Sequence, residues 1–334
     1  MSLFNNLIED IEAIIKTRNK KKLNAIWEKR TVNFIDKVIY KKKELDKNFF
    51  YNFRSHKKKL VAENPSIKIN NFLKKKIYSH QIFYNSYLYN KLIKFNKDLK
   101  KYLTYFKLDS IGNPGYCIID NIKVNERFLR HCHFFSLFSK YVPVKQLDYI
   151  TDIGGGYGSF ARMLHKKYKT KKIIIIDLPE QLVTAKFYLY SNFKNIQISK
   201  FNDIYKTKII NKKFISKYDV ILVPVSEFKK INIDFKKNII VNFNSFGEID
   251  KTSFDKYLNS KLIKKSKYLF SVNRIDSFPT YKNNISFIDY KFDIYKKIYF
   301  KISPVWDYYF IKKFYLFTTK KIFSSRVIEF IGKN

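Results

Sequence analysis

Residues 147–164 read LDYITDIGGGYGSFARML. An apolar stretch ends in Asp152, and Gly154, Gly155, Gly156 and Gly158 then precede a helix start at Ser159. Four of the chain's eight glycines stand within these five residues, which marks a place where backbone comes close to a ligand. The helix that follows offers unbonded N–H groups at its start. The stretch therefore predicts a strand–loop–helix cradle, with Asp152, Gly154, Gly155, Gly156, Tyr157 and Gly158 as candidate cofactor-binding residues. The spacing separates two cofactors. A dinucleotide fingerprint needs a third Gly or Ala where helix and strand meet, and Ser159 stands there instead. The pattern present, D-x-G-x-G-x-G, is the form usual for S-adenosyl-L-methionine, whose carboxylate and ammonium suit loop amides and a nearby acid such as Asp152.

The run IIIIDLPE at 173–180 supplies the second half of the cradle. Asp177 ends an apolar strand 23 residues past Gly154, close to the offset of a ribose-binding acid. A carboxylate there either accepts both ribose hydroxyls or caps the helix led by Pro179.

Outward from these runs the chain alternates strand and helix, the α/β signature. Strands are expected at 147–153, 172–177, 218–223, 239–243 and 268–272, with helices at 159–168, 180–190 and 250–262. A further helix is expected over 125–141, and two closing strands at 299–302 and 314–318. The fold class is a Rossmann-like α/β sheet with helices on both faces, spanning residues 111–334. Residues 1–110 read as a helical, lysine-rich region, a cap or an oligomerisation surface. Leu3, Leu7, Ile8, Ile11, Ile14 and Ile15 follow the helix period, as do Phe34 with Val38 and Phe83 with Tyr87. No Gly precedes Gly112, and DSIGNPGY at 109–116 is a strong turn cluster between the two regions.

Composition decides less. The net charge is +39, yet only eight of the 67 basic residues are Arg, and the chain is rich in Ile, Asn, Tyr and Phe. A codon bias toward A and T yields all of these together, so the charge does not by itself call for nucleic acid. Arg, the better phosphate reader, is scarce. A solvated Lys-coated surface accounts for the charge, and the acidic partners left open are an anionic glycan, an anionic lipid surface or RNA. No stretch reaches the roughly 20 apolar residues of a spanning helix. Glu9, Asp10 and Glu12 stand where a secretory leader would be basic and then apolar, so the expected compartment is the cytoplasm. Cys117 and Cys132 match no metal or disulfide spacing, and no metal is expected.

The runs DIGGGYGSFARML, IDLPEQL, NFNSFGEI (242–249) and SVNR (271–274) together resemble the sugar O-methyltransferase family of bacterial surface-polysaccharide clusters. The resemblance covers roughly residues 105–275, including the GNPG turn at 112–115 and FLRHCHFFSLF at 128–138. It implies a class I methyltransferase that methylates a sugar hydroxyl of a surface glycan or its precursor. The chain has Ile249 after Glu248 where the family usually has Met.

A sugar hydroxyl is a poor nucleophile, so a general base is expected at the carboxyl ends of the strands. Glu248 is the first candidate for that base, with Asn244 orienting the hydroxyl; Ser245 lies on the same turn. The alternative is that Glu248 and Ser245 cap the helix near Asp250. His131 and His133 flank Cys132 at i, i+2 and so point to different helix faces. His133 is the second candidate base. Asn113, in the GNPG turn, and Arg274, at a strand end, are candidate substrate residues, Arg274 for an acidic sugar or the cofactor carboxylate. A homo-oligomer is compatible with the helical region. The rival readings are an RNA methyltransferase, favoured by charge, and a non-catalytic binding protein of the same fold.

Overall fold

The computed structural model describes residues 3–17, 45–55, 72–275, 285–290, 292–305, 308–314, 317–323 and 327–334, with backbone only at 72–83, 288 and 308–323. The predicted pair Phe34 and Val38 lies outside these residues. The N-terminal region contains helices α1 (Leu3–Thr17), α2 (Lys47–Asn52), α3 (Phe72–Phe95) and α4 (Leu99–Phe106). A short hairpin follows, β1 (Cys117–Ile119) and β2 (Ile122–Val124), whose turn places Asp120 and Asn121 at positive φ. Helix α5 (Glu126–Tyr141) then leads into the α/β region, capped by Asn125 Oδ1 accepting from the Phe128 amide at 2.9 Å.

The α/β region runs β3 (Tyr149–Ile153), α6 (Ser159–Lys167), β4 (Lys172–Asp177), α7 (Pro179–Asn192), α8 (Phe201–Lys206), α9 (Lys212–Ile215) and β5 (Val220–Pro224). It continues through β6 (Asn238–Phe243), α10 (Lys251–Leu258), α11 (Lys261–Lys265), β7 (Tyr268–Arg274) and β8 (Lys296–Ile302). A separate hairpin of β9 (Tyr308–Phe314) and β10 (Phe317–Phe323) precedes the last strand, β11 (Val327–Lys333). The seven-stranded sheet has the order β5-β4-β3-β6-β7-β11-β8. Strands β3 to β7 pair in parallel, and β11 runs antiparallel to both its neighbours. A dinucleotide-binding sheet has the order 3-2-1-4-5-6; the reversed strand inserted beside β7 departs from it.

Alternate residues of the central strands enter two cores. Ile150, Ile173, Ile175, Leu222 and Val241 face one side, where helices α5, α6 and α7 lie. Ile153, Ile174, Ile176, Val223 and Ile240 face the other, under α10 and α11. Burial on both faces explains the near-continuous apolar runs that these strands show. The N-terminal helices share the first core, through Leu7, Ile11, Phe50, Phe53 and Leu103. Helix α1 is further tied in by a buried ion pair between Asp10 and Lys186 of α7, and Asp10 Oδ1 accepts from the Phe201 amide at 3.0 Å.

Three expectations need correction. The helix expected over 250–262 is two, because Ser260 starts a second one by accepting from the Ile263 amide at 3.3 Å. Segment 314–318 is no single strand, since Phe314 ends β9 and Phe317 begins β10. The strand expected at 299–302 forms as the edge strand β8, but an unexpected strand, β11, stands between it and β7, with Glu329 fully buried.

Candidate functional site

The parallel strands bring their carboxyl ends to one edge, and the sheet order reverses between β3 and β6. Ligands of open α/β sheets bind in the crevice at such a reversal. The loop after β3 forms its floor. Gly154, Gly156 and Gly158 have φ of 75°, 56° and 83°, which L side chains rarely adopt. Their surroundings differ. A Cβ on Gly154 would lie 2.2 Å from the Cβ and Oγ of Ser245, and one on Gly155 would lie 2.8 Å from Asp152 Oδ2. A Cβ on Gly156 would meet nothing within 4 Å. Gly156 thus faces open space while its neighbours pack on protein, as a cradle for a ligand requires.

Asp177 closes this cradle on the β4 side. Its Oδ2 accepts from the Gly156 amide at 2.7 Å and its Oδ1 from the Leu178 amide at 2.7 Å. It does not cap α7, whose N-cap residue is Leu178 and which has no side-chain cap. Each carboxylate oxygen keeps a further lone pair for a ribose hydroxyl. Burial raises the Asp177 carboxyl to about 6, against the pull of its two amides. Burial, reinforced by Asp177, raises Asp152 to about 8. A pair of raised acids suits a cationic ligand, whose charge restores their ionised forms. The Tyr157 side chain is buried away from the loop, among Phe53, Tyr188, Arg54 and Arg127.

The turn after β6 stands beside the loop. Asn244 holds φ of 60°, its amide bonded to Val272 O at 2.8 Å. Ser245 packs on Gly154, and Glu248 ends the 3-10 turn Phe246–Glu248, near enough to Asp177 to raise its carboxyl. Neither Ser245 nor Glu248 caps the next helix; Asp250 does, accepting from the Ser253 amide at 2.9 Å. Arg274 ends β7 with its Cβ 3.9 Å from a Cβ built on Gly247. Beneath this edge, Asn242 donates to Ile153 O at 2.7 Å and receives Asn273 Nδ2 at 2.8 Å. That buried chain of amides holds the ends of β3, β6 and β7 in register.

Two sequence candidates lie elsewhere. His133 is fully buried, with Nε2 3.0 Å from Glu329 Oε1, and Glu329 also accepts from Ser303 at 2.7 Å and Tyr299 at 3.2 Å. Its partner strand β11 is three strand spacings from β3, about 14 Å. His133 is therefore corrected from candidate base to core partner of β11. Asn113 is exposed and donates to Asn52 Oδ1 at 2.9 Å, while Gly112 packs against the Phe53 ring. The GNPG turn thus seats α2, one ring removed from the loop through the Phe53–Tyr157 contact.

The imidazole at the crevice is His131. Its Nδ1 shares a 2.9 Å hydrogen bond with Ser159 Oγ, the first residue of α6, and its ring lies 6.5 Å from that of Phe243, the last residue of β6. Burial and the arginines Arg127, Arg130, Arg54 and Arg162 hold its pKa well below the usual histidine value. Sequence reasoning weighed His131 only against His133. The i, i+3, i+4 spacing of Arg127, Arg130 and His131, which puts all three on one helix face, was the signal that could have found it.

A family model described as an O-methyltransferase domain matches residues 134–215, which contain β3, the glycine loop and Asp177. No curated protein matches the chain. Among solved structures it is similar to the YcgJ protein of Bacillus subtilis, at 10% identity over 60% of this chain and 99% of that one, with a TM-score of 0.39. It is also similar to an O-methyltransferase family 2 protein of Planctomyces limnophilus solved with apigenin, at 14% identity over 63% and 61%, TM-score 0.35. A third is phosphoethanolamine N-methyltransferase 2 of Haemonchus contortus solved with S-adenosyl-L-methionine, at 14% identity over 42% and 27%, TM-score 0.27. Residues 134–215 thus match an O-methyltransferase domain, and the glycine loop with Asp177 lies inside that match. No helix among the described residues is long and apolar enough to cross a membrane.

Proposed function

We propose that the chain is an S-adenosylmethionine-dependent O-methyltransferase whose acceptor is a sugar hydroxyl of a surface glycan or its precursor. The observation that carries the cofactor half is the loop geometry: Gly156 faces open space and its amide is bonded to Asp177. When bound, S-adenosylmethionine supplies an electrophilic methyl group on a sulfonium. Asp177 would accept its ribose hydroxyls, and Asp152 would answer its positive charge. On the acceptor side, Glu248 would accept the proton of the attacking hydroxyl. Asn244 orients that hydroxyl, and Arg274 grips an acidic substituent of the acceptor. In-line displacement asks mainly for positioning, which the amide chain under the edge supplies. The sugar acceptor is supported by the sequence resemblance over residues 105–275.

The test is transfer of labelled methyl from S-adenosylmethionine to pools of nucleotide sugars, lipid-linked saccharides and RNA. Label in a saccharide pool, lost in Glu248→Gln, is the expected result. Label in RNA alone would replace this reading by the RNA one, and cofactor binding with no transfer would leave a non-catalytic protein.

A further inference from the structure

One rim of the sheet has no part in the chemistry proposed above. β8 is an edge strand, and its outer side bonds no other strand among the described residues. Of the ten large apolar side chains exposed among those residues, five gather here: Ile298, Phe300 and Ile302 on β8, Ile294 just before it, and Phe95 at the end of α3. Ile302 is 61% exposed. Single exposed apolar side chains are ordinary, but five at one rim mark an interaction surface. Phe300 and Ile302 share the sheet face of their partners Phe330 and Ile328, and the register passes over Ile298, an extra residue in the ladder.

The charge of this rim is positive. Lys296, Lys297 and Lys301 of β8 are exposed, as is Lys333, which stands opposite Lys296 on β11, and none of the four is paired with a carboxylate among the described residues. Asp293 offsets one of them. The Lys297 ammonium lies 5.7 Å from the centre of the Phe300 ring, and that of Lys301 lies 5.7 Å from the centre of the Phe95 ring. Their stems thus run along apolar surface while the charged heads stay outside. The chain between β8 and β11 leaves the sheet at this rim, and residues 308–323 hold four Lys and neither Asp nor Glu. The rim also lies close to the crevice. Ile302 stands opposite Ile328, and the adjacent Val327 stands opposite Arg274. Two strand spacings, about 10 Å, separate β8 from β7.

We propose that the β8 rim rests on an anionic lipid bilayer, its apolar side chains at headgroup level and its lysines against lipid phosphates. The outer N–H and C=O groups of an edge strand need partners, which headgroups and water supply and hydrocarbon does not, so the contact is interfacial. A second copy of the chain fits the rim worse. Antiparallel pairing of two β8 strands about Tyr299 sets Lys297 against Lys301 twice, and every register joins two basic strands. RNA also fits it worse, because three of the five apolar side chains are isoleucines, which give a base no ring to stack on. A bilayer answers both features, apolar contact and positive charge. Docking here brings the acceptor side of the crevice within reach of the bilayer surface, where a lipid-linked saccharide is presented. That consequence rests on the glycan reading above; the docking itself does not.

The test is co-sedimentation of the full chain with vesicles, with neither cofactor nor acceptor present. Vesicles of phosphatidylcholine and phosphatidylglycerol in equal parts should carry the protein down, and vesicles of phosphatidylcholine alone should not. Lys297→Gln/Lys301→Gln is expected to lower binding to the mixed vesicles by roughly 10- to 30-fold, each Lys at such a surface being worth about fivefold. Phe300→Ser/Ile302→Ser should weaken it by roughly tenfold or more. Thermal melts like that of the parent show that the variants are folded, and Ile302→Ser alone replaces the second should it not fold. Lys212→Gln/Lys213→Gln removes the same charge from exposed positions on α9, ahead of β5 at the other edge of the sheet, and should lose far less. An equal loss there means attraction spread over the whole surface and overturns the assignment, as does equal binding to phosphatidylcholine alone. A dimer that Phe300→Ser/Ile302→Ser abolishes, without vesicle binding, gives the rim to a second copy. RNA binding lost in the lysine variant, without vesicle binding, gives it to RNA. None of these outcomes touches the cofactor reading, which titration with S-adenosylmethionine decides; failure of that titration with vesicle binding intact would remove the enzyme and leave the docking.

Discussion

The amide of Gly156 donates to Oδ2 of Asp177 across 2.7 Å, so the loop after β3 is tied directly to the end of β4. The two sequence features that point to a cofactor are thereby one object. The same bond fixes which way the loop opens, since a Cβ on Gly156 meets nothing within 4 Å.

Two glycine substitutions should behave in opposite ways. Gly154→Ala drives a methyl into Ser245 and should lower the melting temperature of the free protein markedly. The Cβ that Gly156→Val adds meets nothing within 4 Å, so its cost to the free fold is mainly left-handed backbone strain, about 1–2 kcal/mol. It fills the ligand's space, however, and should abolish S-adenosylhomocysteine binding. Thermal melts with and without ligand separate the two, and equal behaviour of both variants would refute the placement.

Asp152 and Asp177 give a pH dependence whose sign is fixed. Both carboxyls are raised from 3.8, to about 8 and about 6. The folded state therefore binds more protons than the unfolded chain between about pH 4 and 8, and the stability these groups contribute is full below pH 4 and lost as pH rises through that window. A cationic ligand favours the ionised acids, so its affinity should rise over the same range, with proton release on binding. Titrations at pH 5.5 and 8 in buffers of different ionisation heat check this. Affinity that falls with rising pH would contradict it.

Glu248 and His133 make a matched pair of tests. Glu248→Gln should leave S-adenosylhomocysteine affinity nearly intact and lower turnover by about 10²–10⁴, the range for a general base. His133→Gln should instead loosen the buried bond to Glu329, lowering stability while the turnover of the folded fraction stays near that of the parent. Steady-state kinetics beside urea unfolding distinguishes the two outcomes.

Helix α1 offers a stability test far from the chemistry. Asp10 and Lys186 are paired and buried to 2% and 1% exposure. Asp10→Asn leaves an uncompensated charge on Lys186 and should cost roughly 3–5 kcal/mol. Adding Lys186→Met should recover most of that loss, read as a return of the urea midpoint. Independent, additive losses would mean that α1 is not joined to α7 through this pair.

What was legible in the sequence is what local chemistry dictates. The glycine loop, Asp177 and strands β3 to β7 announce themselves through backbone needs and buried apolar runs. Strand β11 was missed because Glu329 interrupts its apolar pattern, and only the fold brings His133, Ser303 and Tyr299 to satisfy that carboxylate. His133 was preferred over His131 because a helix face has no meaning until something packs on it. The split between α10 and α11 turned on Ser260, whose hydroxyl caps one helix where periodicity suggested one continuous stretch. The Asp10–Lys186 pair joins residues 176 apart and leaves no local trace.

The most direct measurement is calorimetric titration of the protein with S-adenosylmethionine and S-adenosylhomocysteine, with NAD and the Asp177→Ala variant as controls. Micromolar binding of both sulfur ligands, none of NAD, and a loss of at least about tenfold in the variant is the predicted result. Binding of NAD, or no binding of either sulfur ligand, would contradict it.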